Sequence, residues 1–201
     1  MKTRNIYGTL VMAALFLTAC SEKKTQEQAF MTPVQDSVTV EWTAYKTTDK
    51  LPVKGEFTTV NLDSYAEGST VAAVLDGAEF SINAMEIATG DESRDTKIKD
   101  SFFGLMNEPG VIKGEFVQSG DDWFVKLKMN GVTVEKLPAK VEITDNTAQV
   151  TASIQLADFK ALEVLEALNK ACFDLHIGGD GISKTWEVVD IEASVSFEVA
   201  E

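Results

Sequence analysis

The sequence predicts an all-β fold: an antiparallel barrel of about eight strands that carries one amphipathic helix and a short helical lid segment. Two observations lead to this prediction. Apolar and polar residues alternate over most of the chain, and turn-forming pairs separate the alternating segments. Short antiparallel strands with one apolar face can bury that face and remove their free edges by closing into a barrel.

The alternation is clearest near the C-terminus, in residues 189–199. Apolar residues such as Ile191 alternate there with acidic residues such as Asp190. The other predicted strands are residues 38–44, 53–57, 71–75, 80–84, 112–117, 122–129, 140–143 and 150–156. The pairs Asn130–Gly131 and Asp145–Asn146 are typical of tight turns, so they predict short connections in an antiparallel meander.

Two segments break the alternation and are predicted to be helical. Residues 158–172 form the predicted amphipathic helix, with Asp158 placed to cap its first turn. Its apolar positions recur at intervals of three and are Phe159, Leu162, Leu165 and Leu168. Residues 93–106 form the predicted lid segment, and a glycine loop, Gly178–Gly181, follows the amphipathic helix.

The N-terminus has the features of a bacterial lipoprotein signal. Lys2 and Arg4 give a cationic start, and an apolar run extends from Ile6 to Phe16. Leu17–Cys20 then places small residues before a cysteine, and the apolar run is too short to span a bilayer comfortably. We expect cleavage directly before Cys20 and attachment of a diacylglycerol to its sulfur. The alternatives are a secretory signal with a coincidental cysteine and an uncleaved single span.

These features divide the chain into three parts. Residues 1–19 are the predicted signal, residues 20–36 a polar tether, and residues 37–201 one barrel domain with a sizeable core. Because two or more acyl chains hold a protein stably on a membrane, we expect a lipid-anchored protein of the bacterial cell envelope. The residue after Cys20 is Ser21 and not the aspartate that marks retention in the inner membrane. This favours a location at the outer membrane, facing the periplasm.

The charge of the chain excludes some partners. The net charge is −14, and removal of Lys2 and Arg4 with the signal makes it −16. Nucleic acid requires clustered basic residues, so it is an unfavourable partner. The negative net charge also argues against electrostatic docking on anionic lipids. Any membrane contact should therefore be hydrophobic or covalent.

The residues that usually carry catalysis are scarce. The chain has one histidine, His176, and contains no Gly-x-Ser-x-Gly elbow, phosphate loop or Cys-x-x-Cys pair. We interpret His176 as packing or capping the helix end and Cys172 as a small core residue. The spacing of Asp174, His176 and Asp180 matches no metal loop. We therefore expect neither an enzyme nor a cofactor or metal.

Several motifs together resemble the YceI-like family of exported lipid-binding proteins. The matching segments are Val53–Phe57, Ser81–Asn83, Thr89–Asp95, Phe102–Phe103, Asn130–Thr133 and Leu137–Pro138, and they keep the family's order. The resemblance implies a lipocalin-like eight-stranded barrel whose apolar lumen takes a long isoprenoid chain, as in an isoprenoid quinone or polyprenol. Two interpretations of Arg94 and Asp95 remain open. They fix the turn at the mouth of the barrel or meet a polar headgroup there, or they form a surface ion pair or a helix cap.

The apolar faces carry several small residues, which predict space inside the barrel. They are Ala44, Gly55, Ala84, Ala152 and Ala193. The candidate lumen residues are Trp42, Ala44, Phe57, Phe80, Ile82, Ala84, Phe102, Phe103, Trp123, Val125, Ala152, Ile191 and Ala193. The alternative is a tapered core in which the small residues accommodate the large aromatic ones. We therefore expect a protein that binds, stores or carries a long apolar lipid, or else a filled barrel that binds another, unidentified envelope protein.

Overall fold

The computed structural model describes residues 29–200, which fold as a curled antiparallel sheet around one hydrophobic core. Eleven strands lie within these residues. They are β1 (Met31–Pro33), β2 (Thr39–Lys46), β3 (Leu51–Phe57), β4 (Val60–Ser64), β5 (Glu79–Asn83), β6 (Ile87–Ala88), β7 (Val111–Ser119), β8 (Asp122–Met129), β9 (Val132–Thr144), β10 (Thr147–Gln155) and β11 (Thr185–Val199). The all-β prediction is confirmed.

Hydrogen bonds connect the strands in the order β4-β5-β7-β8-β9-β10-β11-β2-β3-β6, and β1 pairs with β11 beside this path. From β7 to β11 each strand pairs with the next, so that half of the sheet is the predicted meander. Asn130–Gly131 and Asp145–Asn146 connect β8 to β9 and β9 to β10, and all four residues have positive φ. This is the backbone of a two-residue hairpin turn whose twist matches the flanking strands.

The predicted number of eight strands is wrong, because two chain segments bend and short strands continue beyond the bends. Only Thr58 and Thr59 separate β3 from β4, and three residues separate β5 from β6. β3 pairs with β6 and β4 pairs with β5. Across the bends the Thr58 N–H donates to the Glu86 carbonyl at 2.8 Å, and the Asn83 N–H donates to the Thr59 carbonyl at 3.1 Å.

Residues 71–75, predicted as a strand, form a short helix, α1 (Val71–Leu75). Thr70 begins it, because its side chain accepts a hydrogen bond from the Ala73 N–H at 3.2 Å. Val71, Val74 and Leu75 recur at helical spacing and are almost fully buried. A run of five apolar residues fits a strand or a buried helix equally well. The strand prediction was wrong because so short a run does not distinguish the two.

Two longer helices, α2 (Glu92–Ser101) and α3 (Leu162–Ala171), correspond to the predicted lid segment and amphipathic helix. Asp91 caps α2 by accepting from the Arg94 N–H at 3.0 Å, and this contact lowers the pKa of its carboxyl group. The predicted cap at Asp158 is wrong. Asp158 lies in a separate 3-10 turn, Leu156–Phe159, and the left-handed backbone of Lys160 separates that turn from α3.

The helices α2 and α3 lie together at one end of the curled sheet, which we call the helical end. Asn130, at the tip of the β8–β9 hairpin, joins three segments there. Its side-chain oxygen accepts from the Asn107 N–H at 2.8 Å, and its amide donates to the Phe159 and Lys160 carbonyls at 2.9 and 3.2 Å. These bonds satisfy a side chain that is almost fully buried.

β1 and α1 lie at the opposite end, where Met31 pairs with Val199 and bridges to Gly68. The sheet therefore begins inside the segment predicted as a tether, residues 20–36. The strands and helices of residues 29–200 share one core cluster. Among these residues, no helix is long and apolar enough to cross a membrane.

Candidate functional site

The concave side of the sheet encloses an elongated apolar cavity of about 190 Å³. Along β11 its lining extends from Thr185 to Val195, and a strand segment of this length spans roughly 30 Å. Nine of the eleven strands contribute to the lining, all but β1 and β6. The cavity therefore follows the interior of the curled sheet along most of its length.

The lining is almost entirely hydrocarbon. Its side chains are those of Val38, Val40, Trp42, Ala44, Phe57, Val60, Leu62, Phe80, Ile82, Ile98, Phe102, Phe103, Ile112, Phe116, Val125, Leu127, Met129, Leu137, Val150, Ala152, Ile154, Leu156, Leu165, Leu168, Thr185, Trp186, Val189, Ile191, Ala193, Ser194 and Val195. Thr185 and Ser194 are the hydroxyl-bearing members of this set. An apolar cavity of about 150 Å³ already stays dry and takes up a benzene-sized molecule.

The two-residue period of the strands places these side chains inside. On β11, Val189, Ile191 and Ala193 point into the cavity, whereas Asp190 and Glu192 alternate with them. The three inward side chains remain only half-buried. Incomplete burial of these inward side chains accords with a cavity beside them rather than close packing on all sides.

Two glycines let large rings lie flat against the wall. Gly55 is paired across the sheet with Trp42, and Gly114 with Phe80. A Cβ atom on Gly55 would overlap the Trp42 indole, and one on Gly114 would overlap the Phe80 ring. Gly55 therefore does not leave empty space, as its small size suggested. It provides room for the indole beside the wall, which keeps that ring out of the middle of the cavity.

Helices close the cavity at the helical end. Ile98 of α2 and Leu165 and Leu168 of α3 contribute to the lining. Phe102 and Phe103 follow α2, and their rings meet edge to face with centroids 5.1 Å apart. The ring centroids of Phe103 and Phe57 lie 6.0 Å apart. Aromatic contacts therefore hold the segment after α2 against β3.

Most of the predicted lumen residues come together around this cavity. Those in the lining are Trp42, Ala44, Phe57, Phe80, Ile82, Phe102, Phe103, Val125, Ala152, Ile191 and Ala193. Ala84 and Trp123 are buried but lie outside the lining. Ala84 sits in the bend between β5 and β6, where its N–H donates to the Gly110 carbonyl at 2.8 Å. A role of any of these residues in binding a ligand stays a prediction.

Sequence reasoning missed part of the lining. Val60 and Leu62 on β4 alternate with Asn61 and Asp63, and this signal could have identified them. Leu165 and Leu168 were predicted only as the apolar face of a helix. Cys20, the predicted lipid-attachment residue, lies outside the described residues.

Arg94 and Asp95 have structural partners. Asp95 accepts hydrogen bonds from the Thr89 N–H and hydroxyl, at 3.0 and 2.5 Å, and so fixes the turn that precedes α2. The Arg94 guanidinium lies 3.8 Å from the Asp91 carboxylate in a largely exposed ion pair. Exposed pairs of this kind contribute little to stability.

His176 is held in a polar cluster beside the cavity. The Thr185 hydroxyl donates to the Asn169 side-chain oxygen at 2.7 Å, so His176 Nδ1 is the donor to Thr185 Oγ1 at 2.6 Å. Burial, with a smaller contribution from the charge of Lys46, lowers the pKa of His176 to about 4. The imidazole is therefore neutral at neutral pH and packs against the end of α3.

Two other polar features lie near the cavity. Burial raises the pKa of the Cys172 thiol, as in a small core residue, and the side chain has no disulfide partner within residues 29–200. Trp42 Nε1 has no hydrogen-bond partner within residues 29–200 and is covered by neighbouring atoms. In the described part of the chain no cluster of three or more His, Cys, Asp or Glu side chains could hold a metal ion.

A curled antiparallel sheet with helices across one end and an elongated apolar interior defines the class of lipocalin-like β-proteins. The chain belongs to the family of the YceI-like domain, whose model matches residues 31–197. No curated protein matched the chain.

Solved structures share the fold at low sequence identity. A polyisoprenoid binding domain from Saccharophagus degradans, implicated in plant cell wall breakdown, is 14% identical, with a TM-score of 0.61 over 85% of this chain and 98% of that one. BcnA from Burkholderia cenocepacia is 16% identical, with a TM-score of 0.53 over 85% of this chain and all of that one. At these identities the likeness concerns the fold.

Proposed function

We propose that this protein is a non-enzymatic lipid carrier or reservoir that holds a long isoprenoid chain, of the quinone or polyprenol type, inside its sheet. The observation that carries the proposal is the elongated, almost wholly apolar cavity. The polyisoprenoid binding domain of similar fold supports this choice of ligand. Binding would shield the chain from water, which is the work required of a carrier between membranes.

The energetics favour a chain-shaped ligand without a charged anchor. Burial of one five-carbon isoprene unit contributes up to ~4 kcal/mol, at about 0.8 kcal/mol per buried carbon group. Micromolar affinity requires about 8 kcal/mol. Two to four buried units are therefore enough after the cost of ordering the ligand has been subtracted.

We further propose that the protein acts as an envelope lipoprotein. In this arrangement Cys20 carries the acyl chains that anchor it, and residues between Cys20 and β1 form the tether. We place it at the outer membrane, facing the periplasm, on the sorting argument from Ser21. Such an anchor would keep the domain beside the membranes that supply and receive its lipid.

The second candidate is a filled barrel that serves as an interaction module. It is less well supported, because the sheet encloses an apolar cavity that side chains of β11 line. The neighbours Ala152 and Thr151 on β10 offer a matched test of the two functions. Ala152 lines the cavity, whereas Thr151 is exposed.

The test uses the mature chain from residue 20, with Cys20→Ser to prevent lipidation, and a prenylated benzoquinone that quenches tryptophan fluorescence. We expect saturable binding by the parent, at least about tenfold weaker binding by Ala152→Phe, and unchanged binding by Thr151→Phe. Ala152→Phe should leave the free energy of unfolding unchanged or higher, since it fills space. Absence of saturable binding would overturn the carrier function, and destabilisation of Ala152→Phe by about 1–3 kcal/mol would indicate a filled core.

A further inference from the structure

Trp42 carries an unpaired hydrogen-bond donor in the wall of the cavity. The side chain lines the cavity and is only 7% exposed. Its indole N–H is the only buried side-chain polar group within residues 29–200 that has no hydrogen-bond partner. An unpaired buried donor is costly, and native proteins rarely keep one without a role. The indole N–H therefore points to an acceptor that the described residues do not supply.

Other polar side chains of the lining already have partners. The Thr185 hydroxyl accepts from His176 Nδ1 at 2.6 Å and donates to the Asn169 side-chain oxygen at 2.7 Å. The second tryptophan of the lining, Trp186, donates its indole N–H to the Thr47 carbonyl at 2.7 Å. These groups are committed to the fold, whereas the Trp42 N–H is not.

Trp42 lies near the middle of the cavity. Across the sheet it is paired with Ile191, and along β11 the lining extends from Thr185 to Val195. At about 3.3 Å per residue, roughly 20 Å and 13 Å of the strand lie on the two sides of this pair. The hydroxyl of Ser194 lies on the outer face, because Ser194 alternates with the inward residues of β11. A head group beside the indole would therefore leave an apolar stretch for its tail.

A ligand can reach the N–H by moving a side chain of the wall. The N–H is covered by neighbouring atoms. Gly55 holds the indole against the wall on one side, and Ile191, paired with Trp42 on the other side, is half-buried and lines the cavity. An aliphatic side chain that borders open space can change rotamer without a clash. A head group that enters the cavity can therefore displace it.

We propose that the Trp42 indole N–H donates a hydrogen bond to a carbonyl oxygen of the bound lipid, so that an isoprenoid quinone is the preferred ligand. A quinone carbonyl accepts hydrogen bonds and donates none, which is the complement of a single unpaired donor. A polyprenol or a quinol also brings an O–H donor, and no buried side-chain acceptor among residues 29–200 lacks a partner. A prenyl phosphate would bring a charge against a hydrocarbon wall. This assignment rests on the proposed carrier function and narrows its ligand.

The test compares a prenylated benzoquinone with the prenylbenzene that has the same tail and no oxygen. Native mass spectrometry of the mature Cys20→Ser chain measures both affinities without using tryptophan fluorescence. Trp42→Phe keeps an aromatic ring and removes the N–H, so it should weaken benzoquinone binding about fivefold and prenylbenzene binding less than about twofold. Trp123→Phe is the matched control, because Trp123 is buried outside the lining, and it should change neither affinity.

Two further measurements need no substitution in the cavity and stay decisive if Trp42→Phe does not fold. The NMR signal of the Trp42 indole N–H should move downfield when the benzoquinone binds, toward that of Trp186, whose N–H is already bonded. Prenylbenzene should not cause this downfield shift. The parent should also bind the benzoquinone at least about fivefold more tightly than the quinol or the prenol of the same tail length.

Three results would overturn the assignment: equal weakening of both ligands by Trp42→Phe, no downfield shift of the Trp42 signal in the benzoquinone complex, and a parent that prefers the quinol or the prenol. Any of them, together with saturable binding of the benzoquinone, would reject the role of Trp42 and leave the carrier function intact. Absence of binding by all four ligands would instead reject the carrier function and, with it, the role of Trp42.

Discussion

At the scale of single residues, the cavity depends on two glycines, Gly55 and Gly114, which have no side chain. The cross-strand pairs of Trp42 with Gly55 and of Phe80 with Gly114 place a large ring over bare backbone. A ring over a glycine covers the exposed strand backbone and takes up little depth in the cavity. The wall can therefore be aromatic while the middle stays open.

The pair of Trp42 and Gly55 gives a direct prediction. Gly55→Ala should push the indole toward the middle of the cavity, which destabilises the fold by about 1–3 kcal/mol and weakens benzoquinone binding. Gly179→Ala is the matched control, because a Cβ atom there meets nothing within 4 Å. Chemical denaturation and the quenching titration measure both effects. Equal stability of the two variants would show that the indole is not held by Gly55.

The sequence was sufficient to identify much of the lining and insufficient to delimit the cavity. Period two places Ala44, Ala152 and Ala193 on inward faces, and they do line it. The same rule selected Ala84 and Trp123, which lie outside the lining. Periodicity assigns a face to each residue, but the positions of bends and of the cavity's ends depend on the twist of the whole sheet.

At the scale of elements, most long alternating strands were predicted well and short apolar runs poorly. The long strand β9 is an exception, because only residues 140–143 of it were predicted. β8 and β11 showed an unmistakable period and appear close to their predicted bounds. α1 was mistaken for a strand because five apolar residues cannot reveal a period. β4 and β6 were missed because each is a short continuation beyond a bend in the chain.

His176, which contacts Asn169 of α3 and Thr185 of β11, should make the free energy of unfolding depend on pH. His176 has a pKa of about 4 in the folded protein and an ordinary value of 6.5, so the unfolded chain binds the extra proton between these values. Stability is then fully present above pH 6.5 and is lost as the pH falls toward about 4. Because the ring is only partly buried, we expect a loss on the order of 1–2 kcal/mol.

The measurement compares urea denaturation of the parent and of His176→Gln near neutral pH and near pH 4.5. Carboxyl groups titrate in both proteins, so the difference between them isolates the histidine. The parent should lose more stability on acidification than the variant. An identical loss in the two proteins would contradict the assignment of a buried, neutral imidazole.

At the scale of the whole molecule, the proposed lipid anchor and the helical end lie at opposite ends of the sheet. α3 precedes Thr185 at the start of β11, and β1 pairs with the other end of that strand, at Val199. The chain from Cys20 to Phe30 can span at most about 40 Å, and β11 is roughly 50 Å long. In the proposed arrangement, a molecule anchored through Cys20 can present its helical end to a second surface.

The account as a whole depends on a sheet interior that remains open and accepts a hydrocarbon chain. Native mass spectrometry of the protein purified from bacterial membranes tests this most directly. We predict a lipid-sized mass adduct that organic solvent removes and that fragments as an isoprenoid. A bare protein mass, with no adduct gained on incubation with isoprenoid quinones or polyprenols, would contradict it.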